Sequence, residues 1–284
     1  MTVIFYIFIA LQSIIAFYLL QPVFLLIIHF LKKIIAPYKS PLNRKPKVDK
    51  EFDFAAIITA HQDTRFIPPL VDSLLKQNYT RFHIYIVADA CDINELHFED
   101  PRVSLLKPEK DFNVKIKSIQ FAVDNFTRKH DALVIFDSDN LAHPDYLSVL
   151  NKYFQQGFRA VQTQMLSKNT TTIYSRLDSI GHIYHTFLER KMRMELGLSA
   201  HILGLGIAIE IELYKEIMYK DRLGGFDKKL QADMVKRIPR LAYAEEAIVF
   251  DEKVDDGKTL EKQRTRWLFT YFHYFRDNWD LFVT

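Results

Sequence analysis

Residues 132–146 read ALVIFDSDNLAHPDY, and this stretch decides the fold. Ala132 to Phe136 is a short, wholly apolar run, which reads as a buried strand. It stops at Asp137-Ser138-Asp139. At a strand end, residues i and i+2 point to the same side. Two carboxylates on one side form a hard oxygen site suited to Mg2+ or Mn2+, ions that usually share their shell with phosphates. An isolated Asp-x-Asp is more often a solvated turn. The position of this one, directly behind an apolar strand, weighs against that reading. His143-Pro144-Asp145 then opens a helix.

The same pattern extends to both sides. Residues 52–59, 82–88, 102–106 and 159–165 read as strands, and residues 68–77, 115–126 and 144–155 as helices. Alternating strands and helices predict an α/β fold, a Rossmann-like and mostly parallel sheet with helices on both faces. In such sheets ligands bind beyond the carboxyl ends of the strands. Asp89 and Asp92 close the strand at 82–88, where aspartates can accept hydrogen bonds from a base or ribose. Turn and cap chemistry explains them almost as well. Lys117 is a candidate to face a phosphate, although a lone helical lysine is usually just solvated.

The second half is less regular. Residues 172–196 predict a long helix of mixed polarity. Five of the eight glycines fall between Gly197 and Gly225, so Gly204, Gly206, Gly224 and Gly225 read as backbone requirements. Asp233, near the start of a helix, is a candidate general base; alone, a helix N-terminal acid is weak evidence. Gln263-Arg264-Thr265-Arg266-Trp267 is the most distinctive short string. Its arginines suit a pyrophosphate, and Trp267 suits stacking on a sugar ring. The segment from residue 260 onward reads as an amphipathic, aromatic-rich helix, expected to lie along a membrane surface with Trp279 near the headgroups. His182 and His185 lack an acidic third ligand nearby and read as structural. Walker-type, GxGxxG and G-x-S-x-G loops are absent from the sequence.

Residues 1–31 contain no Asp, Glu, Lys or Arg. As a helix they would span about 46 Å, more than the roughly 30 Å of a bilayer core. They lack the positive start and small-residue cleavage site of a signal peptide. One transmembrane helix is expected, with Pro22 as its kink candidate. Residues 32–50 hold seven basic residues and one acid, Asp49, and read as a solvated basic linker near anionic headgroups. By the positive-inside rule, this collar places the rest on the cytoplasmic side of an inner membrane, as a single-pass protein. Residues 51–284 carry 31 basic against 34 acidic residues, so the charge does not favour a nucleic-acid binder. The single cysteine, Cys91, excludes an intramolecular disulfide and a multi-cysteine zinc site.

Taken in order, Asp89, Asp137-Ser-Asp139 with its following NLAHPDYL, the Gly-Gly-Phe segment with Asp233, and Gln263-Arg-Thr-Arg-Trp267 resemble the family 2 inverting glycosyltransferases of the GT-A fold. The resemblance is to the membrane-anchored branch of cellulose, hyaluronan and poly-N-acetylglucosamine synthases, over residues 52–280. It implies a GT-A domain over residues 51–284, with a mixed, mostly parallel sheet, that uses a nucleotide-diphosphate sugar, with UDP expected. Asp137 and Asp139 would hold the metal (Mg2+ or Mn2+) and, with Ser138, the diphosphate. Asp63 and Asp89 would lie around the uridine, with Lys117 also on the donor. Asp233 would be the base. Gln263 and Arg264 would meet the diphosphate, and Arg266 and Trp267 the acceptor. The usual Thr-Glu before the base is Gln231-Ala232 here.

The implied reaction is transfer with inversion to a saccharide or lipid-linked acceptor, in polysaccharide or cell-envelope glycan synthesis. Relatives continue into further membrane helices. Ending at Thr284, the chain is expected to be a piece of a longer protein or to need a membrane partner for export. A polyprenyl-phosphate glycosyltransferase and an inactive membrane-bound scaffold are the rivals.

Overall fold

Hydrophobic alternation sends successive strand residues to opposite faces, and both faces are covered. The computed structural model describes residues 2–217 and 226–277. Gly224, Gly225 and Trp279, named above, lie outside the described residues. The strands are β1 (Phe54–His61), β2 (Phe82–Asp89), β3 (Val103–Leu106), β4 (Ala132–Asp137), β5 (Leu141–Ala142), β6 (Ala160–Ser167), β7 (Ile207–Glu210) and β8 (Ala242–Asp251). They form one eight-stranded sheet in the order β3-β2-β1-β4-β7-β6-β8-β5.

The pairs β1/β2, β1/β4, β2/β3 and β6/β8 are parallel. The pairs β4/β7, β6/β7 and β5/β8 are antiparallel. Strands β7 and β8 were not read from the sequence. In β8, residues 247–250 (AIVF) followed by Asp251 repeat the apolar-run-then-aspartate pattern of 132–137. Phe54, Ala56 and Ile58 face a core shared with α2 (Ile67–Leu75) and α4 (Tyr146–Gln155). Ala55 and Ile57 face the other core, with α3 (Lys115–Asp124), α7 (Ile211–Glu216) and α8 (Phe226–Val235). In register, His61 sits opposite Asp89 and Thr59 opposite Asp137, so three parallel strands end nearly level.

Helix α1 (Thr2–Ile35) runs four residues past the uncharged stretch. Residues Val3–Ile35 are long and apolar enough to cross a membrane. Lys32 and Lys33 fall in its last turn, where the helix dipole favours cations. The basic linker is not free. Its backbone at Lys47 and Val48 donates to Gln155 O, at 3.0 and 3.1 Å. Gln156 Nε2 donates to the carbonyls of Arg44 and Lys45, and Lys50 pairs with Asp131 at 2.7 Å. The end of α4 therefore holds the backbone of the collar, while residues 43–50 stay exposed to solvent.

The long helix expected at 172–196 forms as α5 (Ile173–Thr186), a π turn at Phe187–Lys191, and α6 (Met192–Leu196). Thr172 caps it by accepting from Ser175 N. Gly197, at φ +90°, stops it. The last helix, α9 (Gly257–Asp277), begins three residues before the expected start.

Gly206 joins β4 to β6. Its N–H donates to Ile135 O at 2.7 Å, and its carbonyl accepts from the N–H and hydroxyl of Thr163. Its φ is +61°, and a Cβ would lie 2.7 Å from Thr163 Oγ1. Gly206→Ala is expected to destabilise the fold by about 1–3 kcal/mol from backbone strain alone, read as a lower denaturation midpoint. An unchanged midpoint would mean that the β4–β6 junction can relax.

Candidate active site

The active-site candidates gather where β4, β6 and β8 end. Asp137 is the last residue of β4, and Ser138 and Asp139 form the turn behind it. Asn140, almost fully buried, shapes that turn. Its Oδ1 accepts from Asp137 N at 2.9 Å, and its Nδ2 donates to Asp139 Oδ1 and to Asp251 Oδ1 (3.3 and 3.0 Å). Asp251, at the end of β8, thus joins the pair as a third carboxylate. Burial, with the like charges of Asp137 and Asp251, pushes the Asp139 carboxyl up to about 7. Burial also raises Asp251, against the pull of Lys253.

Three lysines offset this negative charge. Lys115, the first residue of α3, donates to Asp137 and to Gly204 O. Lys168 donates to Asp139 O at 2.9 Å. Lys253 is buried, 2.9 Å from Asp251 and 4.0 Å from Asp178 of α5. Sequence reasoning picked Lys117, which sits half-buried on α3. It missed Lys115, two residues earlier, although a lysine opening the helix behind β3 stands at the ligand side of the sheet.

Asp89 is 2% exposed. Its carboxylate accepts from the backbone N–H groups of Phe112 and Asn113, at 2.6 and 2.8 Å, and contacts His61 Nδ1 at 3.1 Å. Gln62, Ala90 and Asn113 all have positive φ, between 53° and 62°. Three non-glycine residues held in the left-handed region beside one carboxylate form a stiff floor next to β1 and β2, the kind of strain that collects at functional sites. Asp63 faces out and is locked by Arg65, whose hydrogen bonds hold its carboxyl down at about 2. Asp92 accepts from Asn94 N, an Asx turn, as the plainer reading had it.

On α9, Arg264 donates to the buried Asp178 and stacks over the Trp267 ring at 4.5 Å. Arg266 and Trp267 are exposed, while Gln263 Oε1 is buried without a hydrogen-bond partner among the described residues. A chain of contacts therefore runs from Asp139 through Asn140, Asp251, Lys253 and Asp178 to Arg264. Asp233 lies in the last turn of α8, not near a helix start as expected from the sequence, and is nearly buried, with Lys229 Nζ at 2.9 and 2.8 Å from its two oxygens and Arg237 at 3.9 Å. Gln231, which stands where the resemblance has Thr, accepts from Ile202 N at 3.0 Å. His182 bonds Thr186 and His185 bonds Glu189, both within α5 and its π turn.

The donor set suits a divalent ion. Crowded carboxylates that resist joint ionisation gain most from a cation between them. Among the described residues no group of three ligating side chains closes round a point. Asp137 and Asp139 would thus leave coordination positions to phosphate oxygens and water.

The raised Asp139 carboxyl has a pH consequence. The folded state favours its protonated form. Its contribution to stability is present below about pH 4 and is lost as pH rises through about 7. Asp139→Asn should therefore raise the melting temperature of the metal-free protein near pH 8, with the gain vanishing near pH 4. Equal melting temperatures at both pH values would contradict the crowding of these carboxylates.

The family model described as "Glycosyltransferase like family 2" matches residues 52–270. No curated protein matches. The structure is similar to that of S. aureus TarS 1–349 in complex with UDP-GlcNAc, with TM-score 0.53 and 15% identity over 72% of this chain and 60% of that one. A longer TarS structure gives 16% identity, and the chain spans only 36% of it. Mannosyltransferase PcManGT from Pyrobaculum calidifontis, in complex with GDP-Man and Mn2+, gives TM-score 0.54 and 14% identity over 81% of this chain and 67% of that one. At such identities the likeness is one of fold, a GT-A-like mixed sheet. The family match covers well over half of the chain, which belongs to the glycosyltransferase-like family 2.

Proposed function

We propose that the chain transfers a sugar, with inversion, from a nucleotide-diphosphate sugar to a saccharide acceptor at the cytoplasmic face of an inner membrane. The observation that carries this reading is the meeting of Asp137, Asp139, Lys115 and Lys168 at one strand end in a chain of this family. Neighbours of the same fold are complexes with UDP-GlcNAc or with GDP-Man and Mn2+, which supports a nucleotide-sugar donor and a divalent ion here. UDP is our choice of nucleotide. The basic collar supports the orientation.

A bound Mg2+ or Mn2+ would neutralise charge on the departing diphosphate. The remaining work falls to side chains. Lys115 and Lys168 supply positive charge where the diphosphate would lie. Arg264, fixed between Asp178 and Trp267, presents its guanidinium in one orientation. Asp89 stiffens the floor under the nucleoside. Asp233 would take the acceptor's proton as the hydroxyl attacks the anomeric carbon. Lys229 bonds both its oxygens, so the acceptor must share or displace that lysine.

Two observations keep other readings in view. Leu268, Phe269 and Phe272 are exposed beside Trp267 on α9, which favours an acceptor with a lipid part, such as a polyprenyl phosphate. Gln231-Ala232 in place of Thr-Glu favours an inactive scaffold, since Gln231 is spent on the backbone of Ile202. Asp233→Asn separates enzyme from scaffold. Transfer should fall by about 10²- to 10⁴-fold, while nucleotide-sugar affinity stays within error. Transfer at the wild-type rate would remove Asp233 from the mechanism.

A further inference from the structure

The outward face of α5 carries an apolar stripe, flanked by the exposed Arg176 and His185, and its inward face is polar, the reverse of a helix on a soluble domain. Ile173, Leu177, Ile180 and Ile183 are each 57–65% exposed, and Tyr174 and Tyr184 lie beside them, also exposed. The spacing of 173, 177, 180 and 184 keeps them on one stripe. The buried face carries Ser175, Asp178 and Ser179. These are not idle: Asp178 holds Arg264, and Ser179 bonds Ser167 at 2.7 Å. A contiguous apolar stripe of this size on a monomer marks an interaction surface.

The covering partner follows from where the helix leads. Segments α5, the π turn and α6 run on without a break as 14, 5 and 5 residues, roughly 36 Å at 1.5 Å per residue. Their far end docks on the end of α1. His29 Nε2 contacts Glu195 Oε2 at 2.7 Å, Lys32 Nζ donates to Glu195 O at 2.9 Å, and the rings of His29 and Phe187 lie 6.0 Å apart, edge to face. Lys32 is the first charged residue after the apolar stretch, so this junction sits at the depth where a spanning helix leaves the hydrocarbon. Tyr184, exposed on the same stripe, suits this depth, with its ring in lipid and its hydroxyl in water.

We propose that α5 lies in the headgroup region of the bilayer that α1 enters, with Ile173, Leu177, Ile180 and Ile183 in contact with lipid. The helix then forms a platform. Its lipid-facing side sets the height of the domain, and its inner side holds Arg264 through Asp178. This docking stands whether or not the chain transfers sugar.

The test uses the full chain in phosphatidylglycerol-containing nanodiscs, with a nitroxide on Leu177→Cys or on Ile180→Cys. Cys91 is buried, so the introduced thiol is the accessible one. A water-exposed control is Lys76→Cys. At both α5 positions the label should meet dissolved oxygen several-fold more, relative to a nickel chelate, than at Lys76. Chelate access equal to that at Lys76 would overturn the proposal. So would a label shielded from both reagents, as under a protein partner, or spin–spin broadening that disappears on dilution with unlabelled chain, as in a dimer.

Discussion

Asp137, Asp139 and Asp251 are held close together at the end of a buried sheet, and much else in the domain answers to that crowding. Burial, and then the like charges of Asp137 and Asp251, push the Asp139 carboxyl up to about 7. The fold offsets this with Lys115, Lys168 and Lys253, each delivered by a different segment. Asn140 holds the turn so that the carboxylates cannot swing apart. The contacts from Asp251 through Lys253 and Asp178 to Arg264 then tie α5 and α9 to the same centre. Crowded carboxylates of this kind would gain from a cation, and the proposed donor would bring its own phosphates to that cation.

Much of this was legible in the sequence because strand and carboxylate were adjacent in it. Residues 132–139 announce a buried strand and its two terminal acids within eight positions, and the structure has both. Asp251 ends a strand in the same way. Its strand was obscured by Glu245 and Glu246, which break the apolar run just where β8 slips against β6, between Ala244 and Ile248. Lys115 and Lys253 could not be ranked above other lysines, because their importance comes from tertiary placement. A mixed, mostly parallel sheet is what the resemblance implied; which strand runs antiparallel was hidden, because β7 is only four residues long and enters between β4 and β6. What composition did not show is that the collar, whose residues 43–50 stay exposed, has its backbone bound to the end of α4.

Helix α1 and the carboxylate centre are mechanically joined. Helix α1 meets α6 at Glu195, α6 continues back into α5, and α5 grips Arg264 at the site. Tyr174, near the start of α5, packs against Gly257 so closely that a Cβ there would lie 3.0 Å from its ring, so α9 starts on α5. A domain built this way would keep one orientation to any bilayer that α1 crosses, with the exposed aromatic residues of α9 beside Trp267. An acceptor tethered in or near the membrane would meet the site at a fixed height.

The central claim is that this centre turns over a nucleotide-diphosphate sugar. The most direct measurement incubates the membrane-embedded chain with a panel of UDP- and GDP-linked sugars and follows nucleoside diphosphate release, with and without chelator. The account predicts release from at least one donor, lost on chelation and lost in Lys115→Ala as well as Asp139→Ala. Binding of nucleotide with no turnover of any donor, in the presence of Mg2+ or Mn2+, would contradict it and leave a scaffold of the same fold.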